Sequence, residues 1–128
     1  MKYMSVLALL IAGVIHLLPL PGVLGPGHLA RLYGVAVSDP NTAILLQHRA
    51  LLFGLLGALM LIAIPLPSLR IVALSMGFVS AASFIGVAVW VGNFNAEINR
   101  VLMADVIASM LLGLGLCAEW LQRAVPKA

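Results

Sequence analysis

Charged side chains are scarce in this chain, which has 128 residues but only seven Lys or Arg and four Asp or Glu. Charged residues make up 9% of the sequence and hydrophobic residues 63%. Soluble domains carry about 25% charged residues and about 45–50% apolar ones. A soluble fold of this length could not bury so much apolar surface, so the composition excludes an ordinary soluble domain and favours a membrane protein.

Cysteine is almost absent as well. The single thiol, Cys117, excludes a disulfide within the chain and a zinc site built from several cysteines. It lies deep in an apolar segment, where a free cysteine usually behaves as a small hydrophobe. Basic residues are few and scattered, so the net charge of +3 forms no basic stripe, and we expect no nucleic-acid partner.

Four long apolar segments dominate the chain, and each could cross a bilayer, which takes about 20 mostly apolar residues. They cover residues 3–20, 43–64, 69–91 and 98–121. The first ends in prolines and lacks a small-residue cleavage motif, so we interpret it as an uncleaved helix. Short connections favour antiparallel neighbours. The sequence therefore predicts one all-α transmembrane domain over 1–128, an antiparallel four-helix bundle with a longer outer loop at 21–42.

The distribution of cations predicts the orientation in the membrane. Four basic residues fall on one side of the predicted spans: Lys2, Arg70, Arg123 and Lys127. Cytoplasmic flanks of membrane helices are enriched in Lys and Arg. We therefore expect both termini in the cytoplasm and the loop at 21–42 outside.

Polar side chains within and beside the spans mark a candidate site, because burying such groups in lipid is costly and they are rare there. When the heights of these residues along antiparallel helices are compared at a rise of about 1.5 Å per residue, polar residues from four helices fall in one layer in the outer half of the membrane. The candidate ligand-binding residues are His16, His48, Arg49, Asn93, Arg100 and Asp105. We expect Asp105 to pair with Arg49 or Arg100, and Asn93 to lie at the rim of a shared cavity.

Several functions fit this polar layer. The leading interpretation is binding of an amphipathic small molecule, a membrane lipid or a quinone, in an outer-half pocket. A membrane enzyme with isomerase-like chemistry would instead use Asp105 with His16 or His48 as acid and base. An accessory subunit of a homo-oligomer or larger membrane complex would need the layer only to fix helix register.

Cofactor binding is a further alternative. His16 and His48 on neighbouring helices could ligate a b-type haem. A zinc or copper site built from these two histidines and Asp105 would have no diagnostic ligand spacing, so we predict no metal site. The sequence identifies no particular cofactor.

Three stretches carry a resemblance to known proteins: His16–Pro19, Leu32–Gly34 and, most specifically, Gln47–Gly57. They resemble an uncharacterised group of small bacterial four-span membrane proteins, and loosely the DoxX type. The resemblance implies a multi-pass protein of the bacterial inner membrane. Some members are labelled phosphopantetheine adenylyltransferase, a soluble enzyme that needs a Thr-x-Gly-His-x-His turn in an α/β fold. The nearest run here, Gly25–Ala30, has a single histidine, so the label does not fit this sequence.

Overall fold

The computed structural model describes residues 2–124, and every regular element in that part of the chain is helical. The α-helices are α1 (Lys2–Leu17), α2 (Pro26–Tyr33), α3 (Pro40–Ala63), α4 (Arg70–Val91) and α5 (Ala96–Ala124). Short 3₁₀ segments precede α2 at Leu20–Leu24 and α4 at Pro67–Leu69. The prediction of an all-α chain is confirmed for these residues. Lys127, one of the cations used to predict the orientation, lies outside them.

Four segments of the structure are long and apolar enough to cross a membrane: Tyr3–Leu24, Pro40–Ala63, Pro67–Val91 and Ala96–Ala124. They coincide with the four predicted spans apart from small differences at the ends. The second starts three residues earlier than predicted, because Asp39 caps α3 by accepting a hydrogen bond of 2.8 Å from the amide of Thr42. The length and composition of these helices are those of a multi-pass membrane protein.

The helices bury small side chains and expose large ones. Nine of the fifteen buried hydrophobic residues in the described part of the chain are alanines, whereas Leu45 is 70% exposed and Val79 64% exposed. Water would penalise so many exposed large apolar side chains, but lipid tails would not. Small interior residues also let helices in a membrane approach one another closely. The surface of the molecule is therefore suited to a hydrocarbon environment.

A close contact between α1 and α3 sets the position of the polar residues at one end. A Cβ atom on Gly57 would lie 2.8 Å from the backbone oxygen of Gly13, so only glycine permits this approach. His16 follows Gly13 by almost one helical turn and therefore also faces α3, where its ring centroid lies 5.6 Å from that of Phe53.

Helix α2 packs inward at this same end. Its residues Leu29 and Tyr33 are four apart, share one helical face and are almost fully buried, with Tyr33 only 3% exposed. The helix ends at Gly34, whose φ of 63° is left-handed and whose amide donates to Ala30. Tyr33 thus points into the protein, whereas Arg31 on the opposite face of α2 is exposed.

A buried polar network joins the helices at the remote end, which is the end of α1 farthest from α2. Ser5 Oγ donates to Glu119 Oε1 at 2.7 Å, and Arg70 Nη1 lies 3.7 Å from the same oxygen. Arg70 also donates to the carbonyl oxygens of Ala63 and Ile64, which end α3. One network thus ties all four long helices together. Sequence reasoning used Arg70 only as an orientation marker and did not single out Glu119.

Breaking this network should destabilise the fold strongly. Arg70→Met leaves Glu119 buried without its cation and removes the donors at the end of α3. We expect the free energy of unfolding to fall by about 3–5 kcal/mol, measured by chemical denaturation in detergent.

Arg100→Met is the matched control for this substitution. Arg100 pairs with Glu97 at 3.3 Å, but its side chain is 77% exposed, and exposed pairs contribute about 1 kcal/mol or less. Equal losses in the two variants would contradict the role assigned to the buried network.

Candidate functional site

A cavity of about 360 Å³ lies where α1, α2, α3 and α5 meet. Most of its wall is apolar, including Leu32 and Ala104. Its polar lining residues come from all four helices and are His16, Tyr33, Arg49, Arg100 and Asp105. Four of the six predicted site residues therefore line one cavity, in the arrangement of an apolar pocket with a few polar groups.

His16 presents one nitrogen without a partner. The residue is 2% exposed, and its Nδ1 lies 2.8 Å from the backbone oxygen of Ala12. A carbonyl oxygen can only accept a hydrogen bond, so Nδ1 carries the proton and Nε2 of the neutral ring carries a lone pair. Nε2 is buried and has no hydrogen-bond partner among the described residues. His16 therefore offers a buried acceptor.

Tyr33 presents a second polar atom of this kind. Its Oη is buried and has no hydrogen-bond partner in the described part of the chain. Burial raises the pKa of the Tyr33 phenol above its usual value; the cation of Arg49 opposes this shift and the carboxylate of Asp105 adds to it. Tyr33 therefore keeps its proton at neutral pH and offers a hydroxyl group.

Aromatic rings surround the guanidinium of Arg49. Its Cζ lies 4.9 Å from the ring centroid of Phe53, 5.1 Å from that of Phe84 and 5.5 Å from that of Tyr33. A cation within about 6 Å of an aromatic face is attracted by the negative potential of the ring. The rings thus stabilise a cation that we expected a carboxylate to neutralise.

Asp105 lines the same cavity but forms no ion pair with any arginine of the described chain. It is 5% exposed. The predicted alternative partner, Arg100, pairs instead with Glu97, which lies three residues earlier on α5 and closer to the surface. The expected pairing of Asp105 is therefore not present, and its carboxyl group is available to a ligand.

The structure does not bring His48 or Asn93 to this cavity. Consecutive residues of a helix point about 100° apart, so when Arg49 faces the interior, His48 is turned to the exposed surface. Asn93 is exposed in the turn after α4. Of the two histidines that the haem hypothesis needs, His16 is therefore buried and His48 is exposed on the outside of α3. The described residues also contain no group of three or more His, Cys, Asp or Glu placed to hold a metal ion.

Asn95, which sequence reasoning did not select, fixes α2 against the start of α5. Its Nδ2 donates to the backbone oxygens of Tyr33 at 2.8 Å and Gly34 at 3.2 Å, and its Oδ1 accepts from the amide of Ile98 at 2.8 Å. An asparagine just before a helix is a typical N-cap, and this signal was present in the sequence. The side chain thus holds Tyr33 in the cavity wall.

A second cavity, of about 450 Å³, lies beside the first, between α3 and α4. Arg49 and Phe53 line both cavities and form the partition between them. Ser80 and Ser83 line the second cavity. Ser83 Oγ donates to the backbone oxygen of Ser80 at 2.9 Å, which satisfies its hydroxyl within α4.

No family model, curated protein or solved structure matches this chain. The resemblance to small four-span bacterial proteins stays a prediction. Functional inference therefore starts from the cavity and its polar groups.

Replacing Asn95 should loosen α2. Asn95→Ala removes the cap of α5 and the donor to Tyr33 and Gly34, so we expect a loss of about 1–3 kcal/mol in the free energy of unfolding. Amide hydrogen exchange at residues 26–34 should also become faster. Asn99→Ala, an exposed asparagine of the same helix, is the control. Unchanged exchange in α2 of the Asn95 variant would show that other contacts hold this helix.

Proposed function

We propose that this protein binds an amphipathic small molecule, a membrane lipid or a quinone, in the cavity between α1, α2, α3 and α5. Three buried side-chain atoms lack a hydrogen-bond partner among the described residues, and the proposal rests on two of them, His16 Nε2 and Tyr33 Oη, whose residues line one cavity; the third, Ser109 Oγ, belongs to a residue outside that lining. An unsatisfied buried polar atom costs about 1–3 kcal/mol, and native proteins keep few of them. A bound molecule that satisfies both atoms would remove this cost.

The contrast between the two ends of the molecule argues against a purely structural polar layer. At the remote end, Arg70, Glu119 and Ser5 bond to one another and to the end of α3. At the α2 end, Asp105 has no arginine partner and two buried atoms lack hydrogen bonds. In a layer that served only to fix helix register, we would expect the polar groups to bond to one another, as they do in the remote network.

The size and polarity of the cavity fit an amphipathic ligand. Its volume of about 360 Å³ lies within the range of roughly 300–1,000 Å³ that is typical of small-molecule sites. Apolar side chains such as Leu32, Val101 and Ala104 line the wall beside the polar groups. An apolar body would contact these residues while a polar head reaches His16 and Tyr33.

We also propose an antiparallel bundle in a bacterial inner membrane, with both termini on the cytoplasmic side. The α1–α3 contacts support opposite directions, since Leu17 contacts the Gly57 position and Leu20, further along the chain, contacts the Gly54 position. The basic residues that flank the remote end support a cytoplasmic location for it. The cavity then lies in the outer half of the membrane.

Filling the cavity should abolish binding. Ala104→Phe places a large side chain in the cavity wall, and we expect it to reduce the amount of small molecule that copurifies with the protein by about tenfold or more. Mass spectrometry of extracts from purified protein measures this amount. Ala82→Phe on α4, a partly exposed position outside the cavity lining, is the control. Retention of the same molecule by both variants would contradict binding in this cavity.

The orientation has its own test. A reporter that is active only in the cytoplasm should be active when fused to the C-terminus, because the positive flanks favour that side. A fusion that is active only with a periplasmic reporter would place the cavity in the inner half of the membrane and overturn the proposed orientation.

A further inference from the structure

We infer that the ligand of this cavity carries a hydroxyl head group, as in a phenol, a quinol or a long-chain alcohol, and that its proton is donated to His16 Nε2. The inference rests on the proposed function and names the class of molecule bound. It follows from which atoms of the cavity lining must accept hydrogen bonds and which can donate them.

His16 requires a donor. The backbone oxygen of Ala12 holds the proton of the ring on Nδ1, at 2.8 Å, and leaves Nε2 as an acceptor. The potential donors that line the same cavity are Tyr33, Arg49 and Arg100, and none of them bonds to Nε2. Arg49 is held by three rings, and Arg100 pairs with Glu97. A ligand that satisfies His16 must therefore bring its own N–H or O–H.

Tyr33 requires an acceptor for its hydroxyl proton, because its buried Oη has no partner among the described residues. A hydroxyl group donates one hydrogen bond and accepts others at the same oxygen, so one head group supplies both the donor that His16 lacks and the acceptor that Tyr33 lacks. An ether, ester or carbonyl oxygen only accepts, and it would leave His16 Nε2 unsatisfied. An ammonium group only donates, and it would leave the proton of the Tyr33 hydroxyl without an acceptor.

Asp105 makes an anionic head group unfavourable. Its carboxyl group is 5% exposed, lines the cavity and has no arginine partner. A carboxylate or phosphodiester head has only acceptor oxygens, so it would leave His16 Nε2 without a donor, and it would add a second negative charge to a cavity that already holds Asp105. Arg49 and Arg100 also line the cavity, Arg49 against three aromatic rings and Arg100 paired with Glu97. A hydroxyl adds no charge to this lining and has the donor that His16 lacks.

A matched pair of probes tests the inference. Para-octylphenol and para-octylanisole have the same apolar body and differ in that the hydroxyl of the first is a methyl ether in the second. We expect the full-length protein in nanodiscs to bind the phenol about tenfold more tightly, after subtraction of partitioning into protein-free nanodiscs, because the ether leaves a buried acceptor unpaired. His16→Phe should reduce this preference to about twofold or less, while retaining a ring to pack on Phe53. His48→Phe, at an exposed histidine outside the cavity, should keep the preference.

Nitrogen NMR of the His16 ring gives a readout that needs no variant. We expect Nδ1 protonated and Nε2 unprotonated in the free protein, and an Nε2 shift on addition of the phenol but not of the anisole. A ring protonated at Nε2 overturns the assignment.

The binding outcomes separate the hydroxyl assignment from the proposed function. Equal affinity for the two probes, or tighter binding of the anisole, overturns the hydroxyl assignment and leaves binding in the cavity intact. A preference that survives His16→Phe also overturns it. Absence of binding by either probe overturns it too, and the proposed function is then decided by the copurification experiment alone.

Discussion

Polar groups in the interior of this protein must find partners inside the molecule, because its outer surface is apolar and its interior is built mainly from alanine and glycine. At the remote end this constraint is met completely, since Arg70 and Glu119 neutralise each other and the remaining donors of Arg70 reach the end of α3. The helices are thereby fixed relative to one another. The same constraint makes the incomplete hydrogen bonding at the other end informative, because His16 Nε2 and Tyr33 Oη are buried there without partners among the described residues.

The α2 end combines a firm frame with unsatisfied groups. Asn95 ties α2 to α5, and the close contact of α1 with α3 at Gly13 and Gly57 brings His16 toward the same space. The rings around Arg49 hold a cation at the partition between two cavities without using a carboxylate. These contacts fix the polar groups of the cavity in place, which would lower the entropic cost of binding the proposed ligand.

Much of the fold could be predicted from the sequence, because an apolar run of about 20 residues has few alternatives to a membrane helix. The depth of His16, Arg49 and Asp105 followed from the rise per residue, so their common layer was predictable. The direction in which each side chain points was not, since helices that are apolar on every side carry no periodic signal of their inner face. For this reason His48 was grouped with Arg49, although the structure turns it outward. The inward position of Tyr33 had a local signal in its spacing from Leu29 on one helical face, but the elements that this face packs against depend on tertiary structure.

An experimental density map of the protein, purified gently from its native membrane, tests the central claim most directly. The account predicts elongated density in the cavity, with one end within hydrogen-bond distance of both His16 Nε2 and Tyr33 Oη. A map in which the Tyr33 hydroxyl bonds directly to His16 Nε2, with the surrounding side chains closing the cavity, would contradict it and leave the polar layer with a structural role only.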